Sequence, residues 1–255
     1  MTLLAVERIK LLTTRSPWWC AIVCIVLTSA FTALIVGNTP EDVFPVSVAM
    51  TQYSYTIGLA VIMVLGALAV TTEYRFGTIR TTFQAVPNRT AALLAKATVV
   101  AVLALLIGEL TAFTSWGVSL LLAPEADLAL DSAADVINVA GVGIIYALSA
   151  VIAVAVGALV RHSAGAISLL LIYVFAAEGL IMVIPEIGDD IYKWLPFNVA
   201  HKFLTGDGES SGGDSLAAET LSTSPLSPGW ALAYFAAFAV ALLFAAITVA
   251  NKRDA

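Results

Sequence analysis

Two carboxylates lie where ionised groups are costly. Glu109 falls near the middle of one long apolar run, and Glu178 falls in the second half of another. A charge at mid-depth in hydrocarbon costs roughly 2.5 kcal/mol or more, so such acids serve either a polar path or an interhelical contact. The first reading makes Glu109 and Glu178 substrate-path residues or proton carriers. The second makes them protonated or hydrogen-bonded contacts, with Thr111, Thr114 or Ser115 as helpers to Glu109. Both readings stay open. A third acid, Glu73, ends another apolar run at the boundary with water, where an anion needs a partner. Arg75, Arg80 and Arg89 are the expected bases, and capping a helix is the alternative.

Familiar catalytic constellations are missing from the sequence. It contains no G-x-x-x-x-G-K-[ST], no H-E-x-x-H, no C-x-x-C and no G-x-S-x-G. The glycine-rich stretch GDGESSGGDS has no lysine to reach a phosphate. His162 and His201 are expected on opposite sides of a membrane. Cys20 and Cys24 share a helix face at i, i+4, too far apart for a disulfide and without neighbours to complete a metal site. The expectation is a chain with no enzymatic site, metal or cofactor of its own.

The elements that position these residues follow from composition. The 255 residues are 60% hydrophobic and 12% charged, with mean hydropathy +0.95. An average soluble domain is about 25% charged. Too few polar residues remain to clothe a water-soluble globule. The net charge of −6 argues against nucleic acid as a partner.

Six apolar runs stand out: Pro17–Gly37, Thr51–Thr72, Ala97–Leu122, Val136–Val160, Ala164–Ile184 and Trp230–Ala250. Each is long enough to cross a ~30 Å hydrocarbon layer as a helix, the conformation that satisfies its backbone internally. The expected fold is an all-α integral membrane protein, a single domain over residues 1–255.

Charge sorts by side. Arg8, Lys10, Arg15, Arg75, Arg80, Arg89, Lys96, Arg161, Lys252 and Arg253 fall at the termini and in the even gaps. Lys193 and Lys202 alone fall opposite, where most acids gather. The positive-inside rule makes the basic side cytoplasmic, with both termini inside. The expected location is a bacterial plasma (inner) membrane, with an uncleaved first span. Residues 1–16 read as an amphipathic interfacial helix, with Ala5, Ile9 and Leu12 on one apolar face and Arg8, Lys10 and Arg15 reaching headgroups. This helix either feeds motion into the first span or anchors passively. Residues 185–228 form the longest outer gap, whose aromatic first half suits short re-entrant helices and whose Gly/Ser-rich second half suits a surface loop. Ser149, Ala153 and Gly157 make a small-residue stripe fit for close helix packing.

The segment 73–96, EYRFGTIRTTFQAVPNRTAALLAK, is too ordered for a simple turn. Gly77 permits a sharp turn, Thr78–Phe83 suits a short helix, and Pro87 breaks it. Arg89 and Lys96 flank the start of the third span. Such an element passes motion between a soluble partner and the membrane helices, or is a basic interfacial hairpin.

Here the pattern E-x-x-x-G-T-I, then P-x-R, then K resembles the permease subunits of type-2 (ABC-2) ABC transporters. It is carried by Glu73, Gly77, Thr78, Ile79, Pro87, Arg89 and Lys96, with Leu195-Pro196 as the matching pair in the outer loop. Asn88 departs from the small hydroxyl residue often seen before that arginine. The resemblance implies that Arg75–Phe83 is a coupling helix that docks on a separate ATPase subunit. ATP and Mg would be bound by that partner. It also implies a second permease, identical or paralogous, and efflux of a hydrophobic or amphipathic substrate. A proton-coupled carrier using Glu109 and Glu178, and a non-transporting scaffold subunit, are the competing readings.

Overall fold

The computed structural model describes residues 3–39, 46–86, 88–206 and 222–252, and within them it is all helical. No strand occurs among the described residues. Among the described residues, six helices are long and apolar enough to cross a membrane: Ser16–Asn38, Ala49–Arg75, Arg89–Leu122, Ala133–Val160, Ser163–Met182 and Pro228–Lys252. These six apolar helices make the chain a multi-pass membrane protein.

In chain order, α1 is Leu3–Thr13 and α2 is the first span, Ser16–Asn38. A 3-10 turn, Ala49–Gln52, leads into α3, Tyr55–Arg75. The short α4, Thr78–Ala85, precedes the 34-residue α5, Arg89–Leu122. The fourth span is α6, Ala133–Val160. The fifth joins α7, Ser163–Ile172, to α8, Glu178–Met182, through a π-helical turn at Tyr173–Ala177. Then come α9, Gly188–Tyr192, α10, Pro196–Thr205, and the sixth span α11, Pro228–Lys252.

Local chemistry accounts for the boundaries. Ser132 and Asp135 form a capping box at the start of α6. Asn88 caps α5 through Ala91 N–H, and Pro196 occupies the first turn of α10, where its missing N–H costs nothing. Arg161, at φ 57°, ends α6, and His162 Nδ1 caps α7 through Gly165 N–H.

Spans two, three and four form the interior, while spans one, five and six leave most of their surface outward. Ser149, Ala153 and Gly157 are all buried, and the last two pack against α3. A methyl group added at Gly66 would lie 2.8 Å from Ala153 Cβ, and one added at Gly157 would lie 2.6 Å from Val70 Cγ1. Small residues let these two backbones meet without a hydrophobic drive between helices, as lipid surroundings require. The stripe is thus a contact within this chain.

Polar pairing ties α2 to the inner layer. Thr32 and Ser54 share a hydrogen bond of 2.5 Å, and Ser54 donates to Thr28 O at 3.0 Å. Cys24 is buried, with Sγ 3.6 Å from Thr111 Oγ1, and both cysteines are free. Exposed Trp18, Trp19, Ile22 and Leu34 leave the other face of α2 apolar.

Candidate functional site

The chain gathers its charged chemistry at one end of the bundle. Gly77 makes this possible: its φ of 71° turns the chain sharply after α3 and starts α4 at once. Only glycine takes that conformation without a Cβ penalty. Ile79 buries α4 against the bundle, while Arg75, Phe76, Arg80, Thr81 and Gln84 stay exposed. Phe76 is 71% exposed, a large aromatic surface beside a basic helix. The Arg75 guanidinium lies 5.5 Å from the Phe76 ring, and Arg89 lies 5.3 Å from the Phe83 ring. Thr78 Oγ1 donates to Glu73 O at 3.4 Å.

Behind α4 lies an ionic network of four side chains. Lys96 Nζ donates to Glu7 Oε2 at 2.5 Å and to Glu73 Oε1 at 2.9 Å. Lys10 Nζ donates to Glu7 Oε1 at 2.9 Å, Glu73 Oε1 at 3.3 Å and Thr82 Oγ1 at 3.1 Å. Four elements (α1, the end of α3, α4 and α5) are thereby joined at one point. The Glu7, Glu73 and Lys96 side chains are 7%, 12% and 6% exposed, so water does little to screen the charges. Burial opposes ionisation of Glu7, but the Lys96 and Lys10 ammonium groups outweigh it and hold its carboxyl below the usual carboxylate range. Burial likewise works against the Lys10 ammonium, and Glu7 and Glu73 overcome it and raise its pKa. Two carboxylates and two ammonium groups cancel in net charge.

This geometry corrects several expectations. Glu73 does not pair with Arg75, Arg80 or Arg89; its partners are Lys10 and Lys96, because α1 folds back under the bundle and delivers an ammonium there. Lys96 does not sit at the head of the third span. The helix begins at Arg89, two turns earlier, which draws Lys96 into the protein. The inward face of α1 is Glu7, Lys10 and Leu11, while Leu4, Ile9 and Leu12 are exposed. The apolar stripe therefore faces the surroundings, and Lys10 turns inward rather than toward headgroups. Helix α1 also stops at Thr13, short of residue 16. Pro87 and the Gly/Ser-rich stretch 207–221 lie outside the described residues.

The opposite end holds the second acid. Glu178 sits just after the π-helical turn and is buried, and its two oxygens accept N–H bonds from Phe197 and Asn198, each at 2.9 Å. The carboxylate thus caps the N-terminus of α10, next to Leu195-Pro196, where a negative charge complements the helix dipole. Asn198 extends the clamp through Nδ2 to Tyr192 O and receives Ser222 Oγ at its own oxygens. Tyr55 stacks on His201 with ring centroids 5.7 Å apart, and Tyr146 Oη donates to Tyr55 O at 2.6 Å.

Glu109 is half-buried against Gly143 of α6. The expected helpers are engaged elsewhere: Thr111 donates to Ile107 O, Thr114 to Leu110 O, and Ser115 pairs with Ser29. Glu109 and Glu178 are held by different elements and form no common site.

Sequence reasoning missed Glu7, Lys10 and Thr82. The available signal was Glu7 itself, the one acid in a basic N-terminal helix, three residues before Lys10. No protein-family model matches the chain, and no curated protein matches it either.

Proposed function

We propose that the chain is the membrane-spanning subunit of an ATP-driven exporter of the ABC-2 kind, working with a separate ATPase subunit and a second permease. The supporting observation is the two-sided character of α4. Its inner side is tied to α1 through Thr82 and Lys10, and its outer side presents exposed Arg80, Thr81 and Gln84, with Arg75 and Phe76 exposed beside it. A short helix with one face anchored and one bare is suited to receive a push from a soluble subunit. Arg75–Phe83, with Gly77, Thr78 and Ile79, is the docking element in this reading. The Glu7–Lys10–Glu73–Lys96 network carries its displacement into α1 and the first three spans.

The same end of the bundle holds α1, α4, Arg161 beside Tyr74, and the end of α11, where Arg89 bonds to Ala250 O at 2.9 Å. The basic residues therefore converge in space as well as in sequence. By the positive-inside rule that end is cytoplasmic, as an ATPase partner requires. ATP and Mg belong to the partner, since the sequence has no P-loop. An apolar interface between two permeases would suit an amphipathic substrate.

A proton-coupled carrier has less support, because Glu178 is engaged by two backbone N–H groups. The experiment is a mild-detergent pull-down of the tagged full chain from its native membrane, followed by an ATPase assay. Recovery of an ATPase subunit, lost on reversing charge at Arg75 and Arg80, supports the proposal. A chain that emerges alone and transports only with a proton gradient refutes it.

A further inference from the structure

Between α1, the start of α2 and the facing ends of α3 and α5 lies a cavity of about 580 Å³. That volume falls in the range of sites for small ligands. Its depths are hydrocarbon, with Leu65, Leu68 and Ala69 from α3 and Val99 and Val100 from α5. Its mouth is bordered by exposed residues, Thr13, Thr14 and Ser16 on one side and Phe76 and Thr78 on the other. Glu7, Lys10, Glu73 and Lys96 form the charged part of its wall.

Two features of that charged part point to a ligand head. Glu73 Oε2 is buried and has no hydrogen-bond partner among the described residues, although Oε1 accepts from both lysines. A buried carboxylate oxygen without a donor is expensive. Lys96 makes two bonds and carries three protons. The network as a whole is neutral, so a head with net negative charge gains little from it. A head that offers an N–H donor together with an acceptor meets both demands.

Depth identifies the body. Eight residues of α3 separate Glu73 from Leu65, about 12 Å at 1.5 Å rise. That approaches half of a ~30 Å hydrocarbon layer, the reach of one leaflet. Trp18 and Trp19, exposed just beyond Pro17 on the wall, stand at the level typical of the membrane–water boundary. A soluble metabolite has no use for an apolar shaft of that depth opening at that level.

We propose that this cavity is a lipid site, holding one phospholipid of the adjoining leaflet with a hydrogen-bond-donating head at Glu73. Its chain lies against α3 and α5. The zwitterionic ethanolamine head, with an ammonium donor and a phosphate acceptor, is the best match. The site would make lipid a structural partner of the α1 network. It does not depend on the transport reading.

The test uses the purified full chain, delipidated in mild detergent. It is titrated with phosphatidylethanolamine, phosphatidylcholine of equal chain length, and free ethanolamine, with retained ligand read by native mass spectrometry. We expect one phosphatidylethanolamine retained per chain, about tenfold over phosphatidylcholine, as one charge-assisted hydrogen bond provides. Free ethanolamine should not be retained. Ala69→Trp should abolish retention by filling the shaft, and Glu73→Gln should keep a lipid but level the head preference. A diazirine-bearing phosphatidylethanolamine should crosslink wild-type protein at residues 65–69 or 99–100, which keeps the test decisive if Ala69→Trp misfolds. Equal retention of both lipids overturns the head assignment. Free ethanolamine binding as well as the lipid, or crosslinks confined to the outward faces of α2 and α11, overturns the site.

Discussion

Replacing Lys96 with methionine keeps most of the aliphatic stem and removes the ammonium. Glu7 then loses its 2.5 Å partner and Glu73 its 2.9 Å partner, while Lys10 remains at 2.9 and 3.3 Å. Two carboxylates with side chains 7% and 12% exposed are left with one ammonium, itself on a side chain 38% exposed. Breaking a buried ion pair from one side costs about 3–5 kcal/mol, and the surviving Lys10 puts the expected loss at the low end, about 3 kcal/mol. On the scale of 2–4 °C per kcal/mol for chains of this size, the melting temperature in detergent should fall by about 6–12 °C. The loss should localise, since α1 is held to the bundle through this point. Trypsin should therefore cut at Arg8, Lys10 and Arg15 under conditions that spare the wild type. Adding Glu73→Gln removes one stranded charge and should recover at least about 1 kcal/mol, a non-additivity that a double-mutant cycle detects. A Lys96→Met protein that melts with the wild type, or single substitutions that add without coupling, would refute the claim that the four charges act as one unit.

Other expectations follow from single positions. Glu7 titrates below the usual carboxylate range, so its contribution is complete above about pH 4.5 and fades as pH falls through its lowered value; Lys10, raised by Glu7 and Glu73, contributes fully below about pH 10.5 and loses this as pH rises further. The melting temperature in detergent measured across pH should decline at those two edges. Gly77→Ala meets no neighbour within 4 Å but must hold φ 71°, so it should cost roughly 1 kcal/mol through backbone strain alone, with Gly77→Asn milder, as thermal melts would record. Gly66→Ala and Gly143→Ala should differ: the first drives a methyl onto Ala153 Cβ and the Ala150 carbonyl and should cost about 1–3 kcal/mol, whereas the nearest atoms to the second belong to the Glu109 side chain, which can swing away, so it should cost less. Glu178→Gln leaves one amide N–H₂ against a backbone donor at the start of α10, and hydrogen exchange at Phe197 and Asn198 should rise by about tenfold or more.

The number and placement of the spans was legible because the hydrocarbon layer imposes a length and an apolar composition that a sequence displays directly. The turn at Gly77 and the short helix after it were legible for a local reason as well: a residue free to take positive φ followed by a helix-compatible run. What escaped was everything decided by distance in the chain. Glu73 has three arginines within sixteen residues, yet it is paired with lysines 63 and 23 positions away. Nearness in sequence is a poor guide here because α3 and α4 turn Arg75 and Arg80 outward, while Arg89 on α5 bonds to Ala250 O. The interior position is filled instead by whichever ammonium the packing of α1 and α5 delivers. Glu178 escaped similarly: its role as a cap needs α10 to return to the fifth span, and no local pattern around Glu178 encodes that return. On α1 only Lys10 departs from the interfacial-helix reading, because it turns to Glu7, Glu73 and Thr82 instead of to headgroups. With lipid outside, the exposed side is the one that favours Ile9 and Leu12, and the protein side can hold the charges. In a membrane the usual inside-out sorting weakens, so a buried charged network at the end of a bundle follows from the same physics that makes the outer faces apolar.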